Sequence, residues 1–352
     1  MSATTLDATI LGATTLGATT FMAREIAEIP AAADAVLAAG EAARIGKALG
    51  ARDFPFVVVC GRGSSGHAGV HLRYLIETRL GLPVSAAAPS VVTGYARPPQ
   101  VAGALFVVVS QSGRSPDLVA ATEAARAGGA LTLALVNDPD SPAARASDLV
   151  LPILAGPERA VAATKTVTNS AIAGAALVAA WAGDGDLERG LAALPERLGR
   201  ALTLDWSAWS ADLDGAPAAF ITGRGHGLGP LREIALKLAE TLRLPALGYS
   251  AAELRHGPRA SVSAATPVLA LRQADPLAEG VDELVRDLTR DGLRVHACGG
   301  PLGTLPWLGD GHPACDPIAM LVPAYRAIEA EARRRGLDPD KPAGLTKVTE
   351  TL

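Results

Sequence analysis

The run Val58-Val59-Cys60-Gly61-Arg62-Gly63 returns later in the chain as Phe220-Ile221-Thr222-Gly223-Arg224-Gly225. Each is a short β-prone tract ending in a glycine loop. Each leads into a helical pattern that closes at a leucine-proline boundary, Leu82-Pro83 and Leu244-Pro245. A unit of strand, glycine loop and helix met twice in the same order predicts a tandem pair of related α/β domains. Around the first copy, the pattern predicts strands over Phe56–Cys60, Pro83–Ala88, Ala104–Val109, Leu131–Val136 and Leu149–Leu154. Helices are expected over Ala68–Leu80 and, rich in alanine, over Glu158–Ala182. Around the second copy, strands are expected over Thr266–Leu271 and Leu293–Cys298, and helices over Leu277–Arg290 and Ile318–Arg335. Tracts of this kind build parallel sheets covered on both faces. The expected fold class is therefore α/β, with two tandem doubly wound parallel sheets related by an internal repeat.

Residues 1–20 are rich in threonine and alanine, echo LGATT twice and lack an apolar face, which predicts a disordered tail. The first domain is expected over 21–200, opened by a helix over Phe21–Leu37 and continuing into a domain connection at Gly183–Ala216. The second is expected over 201–336, and 337–352 forms a C-terminal tail.

A chain of 352 residues with 49% hydrophobic content can bury one or two such cores and leave a cleft between them. Its net charge of −4, from 32 basic and 36 acidic residues scattered along the chain, provides no basic field for nucleic acid or an anionic membrane. Cys60, Cys298 and Cys315 show no CxxC spacing and sit among apolar residues, as reduced buried thiols do. The apolar stretch Ala171–Gly183 is too short to cross a bilayer, and no cationic segment precedes a signal core. A cytoplasmic protein is expected.

The most informative loop is Ser110-Gln111-Ser112-Gly113-Arg114-Ser115-Pro116-Asp117, which lies between a predicted strand and a predicted helix. Three hydroxyls, an amide and a cation at a helix N-terminus, where backbone N–H groups are unpaired, suggest a phosphate site that needs no metal. Arg114 either adds charge to that site or only solvates the turn. Gly61-Arg62-Gly63-Ser64-Ser65-Gly66 also satisfies the dinucleotide pattern GxGxxG. That use needs a carboxylate at the end of the next strand, and Ser85-Ala86-Ala87-Ala88-Pro89 has none, so a nicotinamide or flavin is not expected. The hydroxyls of Ser64 and Ser65 suit a sugar phosphate instead. His67 and His71 lie four apart on a helix, but no third ligand has recognisable spacing, and no metal is expected.

Taken with Ala155–Thr166, reading AGPERAVAATKT, and the segment Glu233–Pro258, these loops resemble the tandem sugar isomerase (SIS) domains of glucosamine-6-phosphate synthase. They resemble still more the stand-alone SIS-type glucosamine-6-phosphate deaminases. The resemblance runs from Phe21 through the C-terminal tail. It implies that Ser65, Ser110, Gln111, Ser112 and Ser115 hold a phosphate, with Ser64 beside them. It implies sugar contacts from Val161 and Ala163, the latter through backbone because the family often has serine there. Glu240 is implied as the proton shuttle with Lys237 one turn earlier, and His256, in Ala252–Pro258, as the ring opener supplied by the other subunit of a homodimer. Lys347 is implied to close over the sugar carbonyl.

Chemistry independently suits these residue types. One carboxylate can carry a proton between C1 and C2 of an open-chain sugar, and histidine exchanges protons near neutral pH. Either lysine could stabilise an enolate-like oxygen, or form an imine if burial lowered its pKa. Without the family match, Glu240 with Lys237 would read as a surface ion pair. The synthases carry a glutaminase domain with an N-terminal cysteine, whereas this chain begins Met1-Ser2 and has its first cysteine at Cys60. Synthases also usually have an acid where Arg114 stands. The expected activity is thus deamination of glucosamine 6-phosphate to fructose 6-phosphate and ammonia, without a cofactor. Other amino-sugar-phosphate isomerases or deglycases and a non-catalytic sugar-phosphate sensor are the alternatives.

Overall fold

The computed structural model describes residues 19–347. The expected N-terminal tail lies outside them up to residue 18, as does the end of the C-terminal tail from residue 348. The expected opening helix is two helices, α1 (Phe21–Ala27) and α2 (Ile29–Ala38), because Pro30 at the start of α2 has no N–H to continue the ladder. Thr20 caps α1, its hydroxyl accepting from Ala23 N–H, and Asp340 of the distant tail accepts from the N–H groups of Phe21 and Met22 at 2.7 and 2.8 Å.

After α3 (Glu41–Gly50) come β1 (Val57–Cys60), α4 (Gly63–Leu80), β2 (Val84–Ala86), α5 (Pro89–Thr93) and β3 (Leu105–Ser110). The first half continues through α6 (Pro116–Ala127), β4 (Leu131–Val136), α7 (Pro142–Arg145), β5 (Leu149–Pro152) and α8 (Lys165–Ala182). Its strands pair in parallel in the order β2-β1-β3-β4-β5. β1 and β3 are buried throughout, and alternate residues face two different cores. Val57, Val59, Leu105 and Val107 enter one, while Val58, Cys60, Phe106 and Val108 enter the other, so helices cover both faces. The helix expected to begin at Glu158 begins instead at Lys165. Residues 158–164 form a loop, organised by the buried Glu158 carboxylate, which accepts from the N–H groups of Thr164 and Thr166.

The segment expected to connect the halves is helical: α9 (Gly185–Ala192), α10 (Leu194–Ala201) and α11 (Ser207–Asp212) bury Leu187, Leu191, Leu198 and Trp209. The second half follows as β6 (Ala219–Gly223), α12 (Leu228–Leu242), β7 (Ala246–Ser250), α13 (Ala251–Arg255), β8 (Val268–Leu271), α14 (Ala278–Arg290), β9 (Val295–Cys298) and α15 (Asp316–Arg334). These strands are also parallel, in the order β7-β6-β8-β9. Ile221 and Leu269 join the same core cluster as Val57 and Leu105, so one apolar layer lies between the two sheets. All three cysteines are buried and free. Among the described residues no helix is long and apolar enough to cross a membrane.

Candidate active site

In open parallel sheets, ligands sit where the strand order reverses, beyond the carboxyl ends of the strands. In the first sheet that point lies between β1 and β3. A cavity of about 310 Å³ opens there, and it gathers residues of both serine-bearing segments, Val161, Ala163, Glu240 and the C-terminal segment at Lys347.

On the β3 side, Ser110 Oγ accepts from Gly113 N–H at 3.0 Å and Ser112 Oγ from Arg114 N–H at 3.2 Å, which winds the turn tightly. Ser115 precedes α6 without using its side chain as a cap, which leaves its hydroxyl for the cavity it lines. Arg114 does not line the cavity. Its guanidinium, largely exposed, donates to Asp138 at 2.8 Å. Arg62 lines the cavity instead, held by the buried carboxylate of Asp117. Ser65 faces the cavity from the start of α4.

Ser64 lines the cavity too, but its hydroxyl is engaged on both sides. It donates to Glu233 Oε1 at 3.0 Å and accepts from Lys237 Nζ at 3.2 Å. Glu233 and Lys237 are fully buried on α12, and Glu233 also meets His67 Nδ1 at 2.9 Å. Lys237 lies 3.3 Å from Glu233 and also donates to Glu240, whose carboxylate is partly exposed at the cavity wall. This is no surface pair. Burial lowers the Lys237 pKa, but the charges of Glu233 and Glu240 outweigh it and hold the group above its ordinary value. Lys237 is thus a fixed cation, and the lowered pKa needed for an imine is not met there.

α12 reaches the loop because Gly229 lets it press against α4: a Cβ at that position would lie 2.3 Å from the His67 carbonyl oxygen. His71, one turn on, donates from Nδ1 to the His226 carbonyl at 2.9 Å. The two histidines therefore serve the helix contact separately.

Val161 and Ala163 also line the cavity. The Val161 N–H is taken by the Asp340 carbonyl at 2.9 Å, whereas the Ala163 N–H has no partner among the described residues. Lys347 closes the cavity from the tail. Its Nζ donates to Glu158 Oε2 at 2.9 Å and to the Ala160 carbonyl at 2.6 Å. Burial raises the Glu158 pKa, but the Lys347 charge and the hydrogen bonds from Thr166 and Thr164 leave it below the ordinary carboxylate range. His256 does not join the site within one chain. It is exposed at the C-terminal end of α13 and lines no wall of this cavity.

Sequence reasoning missed Arg62, Glu158 and Glu233. Arg62 was visible as the variable residue of a glycine loop, whereas the two glutamates matter only through burial that no local pattern announces.

This chain belongs to the SIS-domain family, whose pattern matches residues 56–180. It is 36% identical over 318 residues to a glutamine–fructose-6-phosphate aminotransferase (isomerizing) of Symbiobacterium thermophilum, covering 83% of this chain and 50% of that one. The chain spans about half the length of the curated relatives it matches. It also matches a crystal structure of a "putative phosphosugar isomerase" from Silicibacter pomeroyi DSS-3 with a TM-score of 0.88 and 41% identity, covering 92% of this chain and all (100%) of that chain. A glucosamine-6-phosphate deaminase from Thermotoga maritima shares the fold, with a TM-score of 0.78 at 22% identity over 94% of this chain and 100% of its own.

Proposed function

We propose that the protein is a glucosamine-6-phosphate deaminase, converting this amino sugar and water to fructose 6-phosphate and ammonia. The observation that carries the reading is one cavity lined together by the hydroxyl-bearing Ser65, Ser112 and Ser115 and by Glu240 and Lys347. Its size suits a single sugar phosphate. The phosphate accepts from Ser65, Ser112, Ser115 and the turn around Gln111, with Arg62 adding positive charge. Ser64 acts as a strut between α4 and α12, since its hydroxyl is already engaged.

With the sugar ring opened, one Glu240 oxygen takes the C2 proton and returns it to C1, and the chain-held cation Lys237 keeps that carboxylate in place. The electron pair left at C2 passes through an enol-type intermediate whose oxygen Lys347 stabilises. Reprotonation at C1 yields a C2 imine, and water adds to it, releasing ammonia and leaving the ketone. His256 opens the ring from a second copy of the chain, a role supported by its exposure and its position outside this cavity. The same reading treats the two halves as tandem SIS domains, supported by the shared order of β2-β1-β3-β4 and β7-β6-β8-β9.

Purified protein given glucosamine 6-phosphate should release ammonia and fructose 6-phosphate in equal amounts. Neither product appearing refutes the reading, and fructose 6-phosphate plus ammonia run backwards tests the reverse direction. Mixing Glu240→Gln with His256→Ala protein should restore part of the activity if sites are shared between copies. No restoration places His256 elsewhere in the reaction or outside it.

A further inference from the structure

The second sheet has its own switch point, between β6 and β8. The loop leaving β6 repeats the backbone of the loop leaving β1. Arg224 is extended at φ −144° and ψ 168°, as Arg62 is at −124° and 156°, and Gly225 and Gly63 take φ of 56° and 49°. Here the loop meets no serine cluster. A cavity of about 410 Å³ opens instead, bounded by Arg79 on α4, His226 on the β6 loop, Asp275 and Leu277 beyond β8, and His312 before α15. It shares no lining residue with the cavity at Glu240.

Hydrogen bonding at His312 sets what this cavity offers a ligand. The Ala314 N–H donates to His312 Nδ1 at 3.1 Å, so the neutral ring carries its proton on Nε2. That Nε2 lies 3.4 Å from Arg79 Nη2. A neutral ring has one acceptor nitrogen, so only one of these contacts is a hydrogen bond; the shorter, from Ala314, leaves Arg79 and His312 side by side as N–H donors at the cavity wall. Both are held in place: Arg79 Nε lies 3.3 Å from Asp184, and His312 packs so closely on Gly190 of α9 that a Cβ there would lie 2.3 Å from its own Cβ. The His226 ring also lines the cavity; it is only 8% exposed, and its sealed Nδ1 has no hydrogen-bond partner among the described residues. Burial and the neighbouring Arg79 keep His312 below its ordinary pKa, and burial, His71, Arg79 and His312 push His226 down to about 3. The rings therefore offer neutral dipoles around one fixed guanidinium. Asp275 Oδ1 accepts from Leu277 N–H at 2.9 Å, which anchors the carboxylate and leaves Oδ2 to accept from a hydroxyl.

We propose that this cavity is a second small-molecule site for a polyhydroxy oxyanion, whose phosphate or carboxylate accepts from Arg79 and His312 while its hydroxyls meet Asp275 and His226. The site is independent of the deaminase reading, since its test needs no turnover. The chain has 6 histidines, so ring resonances of isotope-labelled protein are few enough to follow individually. Ser112→Ala protein, weakened at the first cavity, is titrated with glucose 6-phosphate, gluconate and inorganic phosphate, with His312 assigned by His312→Gln.

Saturable movement of the His312 and His226 signals with glucose 6-phosphate or gluconate is expected, and the pair tells a phosphate site from a carboxylate site. Arg79→Gln should weaken that binding at least tenfold. Gly190→Ala, which keeps Arg79 but displaces His312, should weaken it too. No saturable movement with either sugar acid, movement with inorganic phosphate alone, or undiminished binding in both variants overturns the proposal.

Discussion

Glu158 should be the residue whose loss most plainly separates the loop from the tail. Its buried carboxylate accepts from Thr164 N–H at 2.9 Å, Thr166 N–H at 3.1 Å, the Thr166 hydroxyl at 2.7 Å and Lys347 Nζ at 2.9 Å. Glu158→Ala leaves two buried N–H groups and a hydroxyl unpaired and removes the counter-charge of Lys347. Breaking one side of a buried pair costs about 3–5 kcal/mol, and the orphaned donors place this site at the upper end of that range. Glu158→Gln keeps the volume and one acceptor oxygen. If that oxygen keeps the two backbone donors, the new NH2 group faces Thr166 Oγ and Lys347. The hydroxyl can rotate to accept, but the ammonium cannot, so the cost falls to about 1–2 kcal/mol and lands on Lys347.

Urea unfolding followed by fluorescence of the buried Trp206 and Trp209 measures both variants, with unchanged m-values required for the comparison. Labelling of Lys347 by an amine reagent should rise several-fold in Glu158→Gln. The pH dependence has a definite sign. A carboxylate whose folded pKa is depressed contributes stability that is present above its unfolded value, about 4.3, and is lost as pH falls through the lower folded value. The gap between wild type and Glu158→Gln should therefore hold at neutral pH and close in acid. A Glu158→Ala protein within about 1 kcal/mol of wild type would refute the reasoning, because orphaning several buried donors cannot cost so little.

Lys237→Met should destabilise by about 3–5 kcal/mol, since it strands the fully buried Glu233 without its ammonium, and should abolish turnover; urea unfolding and the ammonia assay check the two parts. The three thiols should be inert to a thiol reagent in the native state and all react in denaturant, since burial pushes Cys60 and Cys315 up to about 12 and Cys298 well above its ordinary value. Stability should fall as pH drops from about 6.5 towards 3, because His226, pushed down to about 3 by burial and its neighbours, binds a proton more readily when unfolded. His226→Gln should flatten that slope in chemical unfolding measured across the window.

The parts of this molecule legible in sequence are those whose chemistry is local. The strand at Leu131–Val136 is all apolar or β-branched over its whole length, and its expected and observed bounds coincide. The Ser110–Ser115 loop announced itself by clustered hydroxyls, and it does line the cavity. Arg114 shows the limit, since a cation in an anion-binding sequence was free to turn outward to Asp138, while Arg62 from another loop took the inward place. The residues 158–164 read as helix because alanine favours it, yet four hydrogen bonds to one glutamate hold them otherwise. Glu158 and Glu233 were illegible for one reason: a carboxylate's role as a strut depends on which distant donors surround it, here Lys347 for one and Ser64 and His67 for the other.

Those long-range struts tie the two halves together at the site. Ser64 belongs to the first turn of α4 in the first half, and the two groups that engage its hydroxyl belong to α12 of the second half. The hydroxyl loops and the Glu240 carboxylate therefore cannot move apart without stretching these bonds, and their spacing is set by how closely α12 approaches α4. Gly229 sets that approach. A methyl group there would stand 2.3 Å from the His67 carbonyl oxygen and 3.0 Å from the His71 nitrogen, both backbone atoms that cannot rotate away. Restoring ordinary contact needs the helices to separate by about 1 Å, as overpacked cores do at a cost of about 1–3 kcal/mol. A shift of that size takes the Ser64–Lys237 contact, now 3.2 Å, out of hydrogen-bond range. Gly229→Ala should therefore lose far more turnover than its loss of stability explains. Gly199→Ala on α10, where a Cβ meets nothing within 4 Å among the described residues, should be stable and fully active. If Gly229→Ala turned over glucosamine 6-phosphate at the wild-type rate, the spacing of the two halves would not be what sets the site.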